Sequence, residues 1–404
     1  SVGKGITKFP DYPLMNMKVV LADGDVLKTG THGFNEEAAD GRNEGGPNLS
    51  QWHVGADDIF GLVTRASIML WPVCEVRSCL VYGFEGIDEV LKILKEVPRT
   101  ELGVEYFAMS RASLRRLLAE PGDSFPAWVL VVGFEGREML VSHNRDRVGK
   151  LLERYRGSRE DRLVPAMTKQ LDECWMEASP NHTAFFARFD RARDLDEWVQ
   201  EAAEAAGVNP EDLGKILVSV DRGRAMYAVY DWFCEQDCSD ALERLNLSLA
   251  DQGAFFDRPH GSLGREIYKR IPNHLPVLKH IKGFLDPENI LNPGRILQEE
   301  DRGWQPPRVP EGAIGLTVDN LKEVVDKLKA CVGEDWVSDN PVDLISYGRD
   351  FTIFSGERPN VVVLPESKEQ IQEILRIAYA YGIPVVPQTT GFNHGGLTIS
   401  RKGG

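Results

Sequence analysis

Residues 359–396 read PNVVVLPESKEQIQEILRIAYAYGIPVVPQTTGFNHGG. An apolar strand, a helix and a second apolar strand follow one another, and a glycine-rich loop closes the run. In that loop, residues 388–396 read QTTGFNHGG. Glycine lets backbone N–H groups come close to an anion, and consecutive N–H groups form a concave anion site. The loop is neither GxGxxG nor GxxxxGK[ST], so neither a doubly wound dinucleotide fold nor a P-loop is indicated. From the residues alone, phosphate binding and an ordinary strand-ending loop stand level.

Bulk properties narrow the class. A chain of 404 residues with 42% hydrophobic content can bury large cores and suggests two or three domains. The formal charge of −15 leaves no basic surface for a nucleic acid. No apolar run approaches the roughly 20 residues that span a bilayer. Six cysteines (Cys74, Cys79, Cys174, Cys234, Cys238 and Cys331) are scattered without a CxxC pair. They are expected to be free thiols in a reducing cytoplasm. Cys234 and Cys238 lie one helical turn apart in YDWFCEQDC, half of a metal site at most, and packing is the preferred reading.

Outward from the quoted stretch, the other segments have distinct textures. Residues 14–30, LMNMKVVLADGDVLKTG, alternate as a hairpin turning at Ala22-Asp23-Gly24-Asp25. Residues 33–50 form a polar, glycine-rich excursion, and residues 52–72, WHVGADDIFGLVTRASIMLWP, place Gly55 and Gly61 before an apolar strand. From about residue 75, strands alternate with amphipathic helices, and the strand ending GFEG occurs twice, at 83–86 and 133–136. That pattern predicts an open sheet covered by helices on one side. Residues 298–313 are acidic and proline-rich, as in a linker. Beyond them Leu321, Val324, Val325 and Leu328 share one face of a helix.

Four blocks together resemble the FAD-linked oxidases, the vanillyl-alcohol oxidase/para-cresol methylhydroxylase (PCMH-type) superfamily. The 359–396 run resembles the opening of its FAD-binding domain, and MKVVLADGDVLKTG a hairpin late in that domain. VGADDIFGLVTRASIMLWP resembles its VGxxGxxGIVTxAxxxLxP segment, and LDPENILNPGRIL (285–297) its terminal DPxxILNPGK, with Arg295 in place of lysine. The resemblance implies an α+β fold: a two-part FAD-binding domain plus an α+β cap whose antiparallel sheet is covered by helices. It divides the chain into residues 1–74 (second part of the FAD domain), 75–283 (substrate cap), 284–300 (return to the FAD domain), 301–315 (linker) and 316–404 (first part). FAD is the implied cofactor. The residues implied to contact it are Pro387, Thr389, Thr390, Gly391, Phe392, Asn393, His394, Gly395, Gly396, Gly55, Gly61, Thr64, Asn292 and Arg295.

Within the implied cap, GAFFDRPHGSLGRE (253–266) falls between the phenol-oxidising pattern GxYRxH and the hydroxy-acid pattern GEHGIG. It offers Asp257, Arg258 and His260 as the catalytic set. An Arg fork holds a carboxylate or phenolate, and a neutral His takes a hydroxyl proton as hydride leaves the substrate. His182 lies near a position that tethers FAD covalently in some phenol oxidases, but alignment on Phe185-Phe186 puts Thr183 there, so non-covalent FAD is expected. The histidine-rich HxGDGN pattern of several hydroxy-acid members is absent, so no metal is expected. Trp52, Phe60, Trp71, Phe255 and Phe256 are candidates to line a pocket for a flat substrate, although each alone reads as core.

The implied activity is hydride transfer from a small phenolic or aromatic alcohol to flavin, then to oxygen or a redox protein. A 2-hydroxy-acid dehydrogenase of the D-lactate or glycolate kind is the alternative, as is a non-catalytic flavoprotein subunit passing electrons in a complex. A cytoplasmic protein without membrane span, and a homodimer, are expected. The blocks stand in permuted order, and nothing resembles the family's central segment. A fragment spanning two tandem copies, a permutation with a deletion, or an incomplete longer chain would explain this. The Met-less start and the end at RKGG favour a fragment or incomplete chain.

Overall fold

Apolar alternation in the first hairpin builds a three-stranded antiparallel sheet. Strand β1 (Leu14–Val20) pairs with β2 (Val26–Lys28) on one side and β3 (Leu62–Ile68) on the other, in the order β2-β1-β3. The turn between β1 and β2 closes with Leu21 N donating to Asp25 O at 2.9 Å and Gly24 N to Leu21 O at 3.0 Å. In the computed structural model, the described residues are 14–34, 48–70, 72–119, 125–172, 179, 181–234, 236–256, 259, 261–297, 320–349, 358–388, 399–400 and 403–404. The chain packs as two compact units. One is continuous over residues 71–257, and the other joins residues 13–70 to 258–404.

The continuous unit is built on a seven-stranded sheet. Its strands are β4 (Val76–Phe84), β5 (Glu105–Ser110), β6 (Trp128–Gly136), β7 (Ser158–Arg159), β8 (His182–Ala187), β9 (Leu213–Val220) and β10 (Ala225–Trp232). They lie in the order β7-β4-β6-β5-β9-β10-β8, and every pairing is antiparallel. The expectation of helices on one side is corrected here, because both faces are covered. Cys79 and Val81 of β4 pack with Leu114, Met167 and Leu171 from helices Arg111–Leu118 and Val164–Asp172. Ser78, on the opposite face, receives a hydrogen bond from Arg145 of helix Glu138–Leu152. The physical reason is legible in the strands: β5 and β9 are buried at every residue, as happens when both faces are roofed. Only β8, at the sheet edge, keeps strict alternation of buried and half-buried residues.

In the discontinuous unit, one hydrophobic core takes residues from widely separated blocks. Val20 and Ala22 come from the hairpin, and Ile290 and Leu291 from the LDPENILNPG block. Val324, Val325 and Leu328 come from helix Leu321–Val332, and Leu375, Ala378 and Tyr381 from helix Lys368–Tyr381. The helical face expected from sequence is thus the buried one. Strands β11 (Val337–Ser338) and β12 (Val362–Val363) pair antiparallel beside this core. The second apolar run, 383–387, forms no ladder; Val385 makes a single parallel bridge to Leu291. Leu375 is fully buried. Leu375→Ala is expected to cost about 2–5 kcal/mol of unit stability, read as faster amide exchange along helix Lys368–Tyr381. No helix among the described residues is long and apolar enough to cross a membrane.

Candidate cofactor site

The WHVGADDIFG loop is wound in a conformation that side chains seldom adopt. Gly55 has φ +72°, Asp57 +49°, Asp58 +58° and Gly61 +148°. Gly61 has no substitute, since a Cβ there would meet Val19 Cγ1 at 2.4 Å. Asp57 and Asp58 carry their left-handed backbone at a cost of about 1 kcal/mol or more each, a strain that surrounding contacts must hold in place. Those contacts are visible. Ile59 and Phe60 are buried pegs, packed with Leu275, Ile296 and Leu297.

A buried ammonium ties the loop to the NPG block. Lys282, on helix His274–Leu285, donates to Ile59 O at 2.8 Å, to Leu291 O at 2.6 Å, and to the Asp286 carboxylate. Its three donors are therefore all used. Asp286 in turn accepts from Ile290 N at 3.0 Å and Leu291 N at 2.8 Å. Burial pulls the Lys282 ammonium below its ordinary value, while the Asp286 charge opposes that pull. Next along the chain, Asn292 Nδ2 donates to Asp57 O at 2.7 Å, and Arg295 Nε reaches Asp57 Oδ2 at 3.3 Å. Asn292 N then donates to Val385 O at 3.0 Å, and Val385 N to Ile290 O at 2.7 Å. Three segments that are distant in sequence thus converge.

Two of them, the loop and the 383–388 run, line a cleft of about 440 Å³ together with Thr64, Val363 and Gly404, among others; Asp58, Val385 and Pro387 are their contributions. Its walls are mostly aliphatic, and one titratable group is unusual. Burial, helped by the neighbouring Asp57 charge, pushes the Asp58 carboxyl up to about 6. His53, two residues before Gly55, is pulled down to about 4 by burial. Neither of its ring nitrogens has a hydrogen-bond partner among the described residues.

Part of this cleft lies in a segment that matches a known family. Residues 359–404 match the FAD binding domain family. The chain is 22% identical over 323 residues to glycolate oxidase subunit GlcD of Bacillus subtilis (strain 168), covering 74% of this chain and 65% of that protein. In structure it is similar to 4-ethylphenol oxidase from Gulosibacter chungangensis, with TM-score 0.54, 18% identity, 69% of this chain and 64% of that one. It is similar also to p-cresol methylhydroxylase, with TM-score 0.56, 16% identity, 69% of this chain and 63% of that one. The fold is that of the FAD-linked oxidases. FAD is the cofactor that this match carries, and the expected α+β, PCMH-type architecture is present. The chain spans about half to two thirds of the length of the curated relatives it matches.

The residues present fit a dinucleotide in a specific way. At Gly55 an added Cβ would meet nothing within 4 Å, so the backbone there faces open space. Thr64, Gln388, Ser400 and Gly403 all line the cleft. Of the residues implied by resemblance, Pro387 and Thr64 line it directly, while Gly55 and Gly61 shape the loop beside it. Asn292 and Arg295 are buried and turned onto Asp57. Thr389, Thr390, Gly391, Phe392, Asn393, His394, Gly395 and Gly396 lie outside the described residues. So do Asp257, Arg258 and His260.

In the other unit, His182 is half-buried at the start of β8, with Nδ1 2.7 Å from Ser179 O and Asp231 opposite it in the ladder. Burial raises the Asp231 carboxyl, although Ser179 N donates to it and His182 opposes the shift. Thr183 faces the other way and donates to Asn246 Oδ1 at 2.5 Å. Phe60 and Phe256 are core residues, whereas Phe255 is exposed. Phe255 pairs with Phe186 through backbone bonds of 2.7 and 2.8 Å, and the Phe186 ring lies 4.7 Å from Tyr227 and 6.3 Å from Phe255.

Sequence reasoning passed over Asp58, His53, Lys282 and Asp286. Asp58 had a signal, because it stands where the VGxxGxxG pattern has its middle glycine. Among the described residues, no group of three or more His, Cys, Asp or Glu is placed to hold a metal ion.

Proposed function

We propose that this chain is part of an FAD-dependent oxidoreductase, an oxidase or dehydrogenase that removes hydride from a CH–OH or benzylic carbon. The observation that supports it is that the strained 55–61 loop and the 383–388 run both reach one cleft, while the NPG block bonds the two together behind it. Thr64, Pro387 and the backbone at Gly55 and Gly61 would hold the dinucleotide, with the 389–396 loop at its phosphates and Asn292 and Arg295 supporting through Asp57. FAD, when bound, supplies the hydride acceptor. The chain's residues position the substrate and handle the proton.

The catalytic assignment stays with residues 257–260. Phe255 docks on the β8 edge immediately before them, and helix Gly261–Arg270 starts immediately after. In this reading Arg258 holds the substrate's anionic group, Asp257 orients that guanidinium, and His260 accepts the hydroxyl proton. His260→Ala is expected to lower kcat about 10²–10⁴-fold in steady-state assays while leaving bound flavin unchanged. In this reading FAD is held non-covalently, and His182 is the candidate for a tether. Acid precipitation separates the two, since a tethered flavin stays with the pellet.

A phenolic or aromatic alcohol is the substrate class favoured by the exposed Phe255 beside Phe186 and Tyr227. A 2-hydroxy acid is favoured by the names of the relatives, which include glycolate oxidase subunit GlcD and D-2-hydroxyglutarate dehydrogenase of Bos taurus. The word subunit in the first name also suits a flavoprotein that passes electrons in a complex. Anaerobic mixing with each class decides: loss of the visible flavin absorbance with a 4-alkylphenol supports the first, and with D-lactate or glycolate the second. Bleaching by neither, with flavin bound, points to the electron-passing subunit. Readmitting oxygen then separates an oxidase, which recolours, from a dehydrogenase that needs a redox protein. A cytoplasmic homodimer completes the proposal, checked by sedimentation and fractionation. The domain division at 1–74, 75–283, 284–300, 301–315 and 316–404 is proposed with it.

A further inference from the structure

β10 ends at Trp232, and helix Ser239–Asp251 begins after Cys238. Between them the sulfurs of Cys234 and Cys238 lie 3.5 Å apart. One side chain fixes both. Asn181 Nδ2 donates to Gln236 O at 2.9 Å, to Cys234 O at 3.4 Å and to Cys234 Sγ at 3.5 Å, while its Oδ1 accepts from Cys238 N at 3.3 Å. Gln236 Nε2, bonded to Ala206 O at 2.7 Å, pins the middle of the turn. Cys238 is buried and Cys234 is half-exposed.

From this geometry we infer that Cys234 and Cys238 form a reversible intrachain disulfide when the protein meets a hydroperoxide. A disulfide S–S bond is about 2.04 Å long, so each sulfur travels only about 0.7 Å to close it. The half-exposed Cys234 sulfur attacks the peroxide first. An S–O bond forms, the O–O bond breaks, and the distal oxygen leaves as water with the thiol proton. Cys238 sulfur then attacks Cys234 sulfur and expels the second oxygen as water. The two thiols lose two electrons and two protons, and one hydrogen peroxide becomes two waters. A thiol reductant reverses the change by exchange. The ring closed, residues 234–238, ties the end of β10 to the start of the following helix.

Burial pushes the Cys234 thiol up to about 11, and its contact with the Cys238 thiol adds to the shift. Cys234 therefore rests as the thiol at neutral pH, and its attack on the peroxide goes through the small thiolate fraction. That fraction limits the first step, and the Cys238 sulfur at 3.5 Å then directs the oxidised Cys234 to the disulfide. In the structure Cys234 and Cys238, like Cys74, Cys79 and Cys331, are free thiols, as expected. Cys79 is buried against Thr168 and Val164, and Cys331 donates to Gln370 O.

The test treats the folded full chain with hydrogen peroxide, blocks remaining thiols with iodoacetamide and maps peptides by mass spectrometry. The expected result is a peptide carrying residues 234 and 238 that has lost two hydrogens and resists alkylation until dithiothreitol is added. In Cys238→Ser, Cys234 should instead be trapped by dimedone as a sulfenic acid. Cys234→Ser, at the half-exposed position, gives the control least prone to misfold and should leave Cys238 alkylatable after denaturation. Full alkylation of both thiols after peroxide overturns the inference. So does a bond from either sulfur to a different cysteine.

Discussion

Lys282→Met is expected to destabilise the unit of residues 13–70 and 258–404 by about 3–5 kcal/mol, the usual cost of breaking a buried ion pair from one side. Lys282 and Asp286 are both almost wholly excluded from water. The ammonium also satisfies the carbonyls of Ile59 and Leu291. Methionine fills a similar volume but leaves a buried carboxylate without its cation and two carbonyls without donors. The amides of Ile290 and Leu291, which donate to Asp286, report directly on this network. Their hydrogen exchange should accelerate on the order of a hundred- to a thousand-fold, while β5 and β9 of the other unit keep their protection. The double variant Lys282→Met/Asp286→Asn should recover part of the loss, because the stranded charge is gone and the amide oxygen still accepts from Leu291 N. Unchanged exchange at Ile290 and Leu291 in the single variant would show that the lock is idle.

Asp58→Asn is expected to strengthen FAD binding about tenfold, or about 1.4 kcal/mol, by removing a carboxylate from the wall of the cleft proposed to hold the dinucleotide. Fluorescence titration of FAD measures it, and equal affinities would refute the charge argument. Stability should shift as well, with a sign that follows from the raised carboxyl. The folded value of about 6 lies above the ordinary 3.8, so the folded state holds the proton more tightly between those limits. Stability from this group is therefore present at low pH and is lost as pH rises through 6. At pH 7 the penalty is about 2 kcal/mol after allowing for partial exposure. Asparagine abolishes it and tolerates the left-handed backbone at this position. His53 acts in the opposite direction. Its value is lowered to about 4, so acidification from 6.5 towards 4 charges the unfolded chain first and costs stability. In the parent the two effects offset between pH 4 and 6; in Asp58→Asn the His53 effect should stand alone. Chemical denaturation at pH 7 and pH 4.5 tests this. The variant should gain over the parent at the higher pH far more than at the lower.

The hairpin at 14–28 was legible because alternation and the Asp23-Gly24 turn are local signals. The buried faces of helices Leu321–Val332 and Lys368–Tyr381 were legible for the same reason, through spacing of apolar residues. The roofing of the large sheet on both sides was legible in principle, since continuous apolar runs such as LGKILVSV mark strands without a wet face. Asp58 was visible only as a departure from a pattern of glycines. Nothing in the sequence around Lys282 told of Ile59, 223 residues away.

The sequence by itself determined the elements, the glycine loop, the FAD-type blocks and their unusual order, because propensity, periodicity and motif spacing are properties of neighbours along the chain. Tertiary structure alone decided that blocks from both ends of the chain share one core. It likewise decided that Asn292 and Arg295 grip Asp57, that Asp58 faces the cleft with a raised carboxyl, and that two scattered-looking cysteines stand sulfur to sulfur. Each of these depends on burial and on contacts between distant residues, and charge and thiol chemistry are set by what surrounds a group in space.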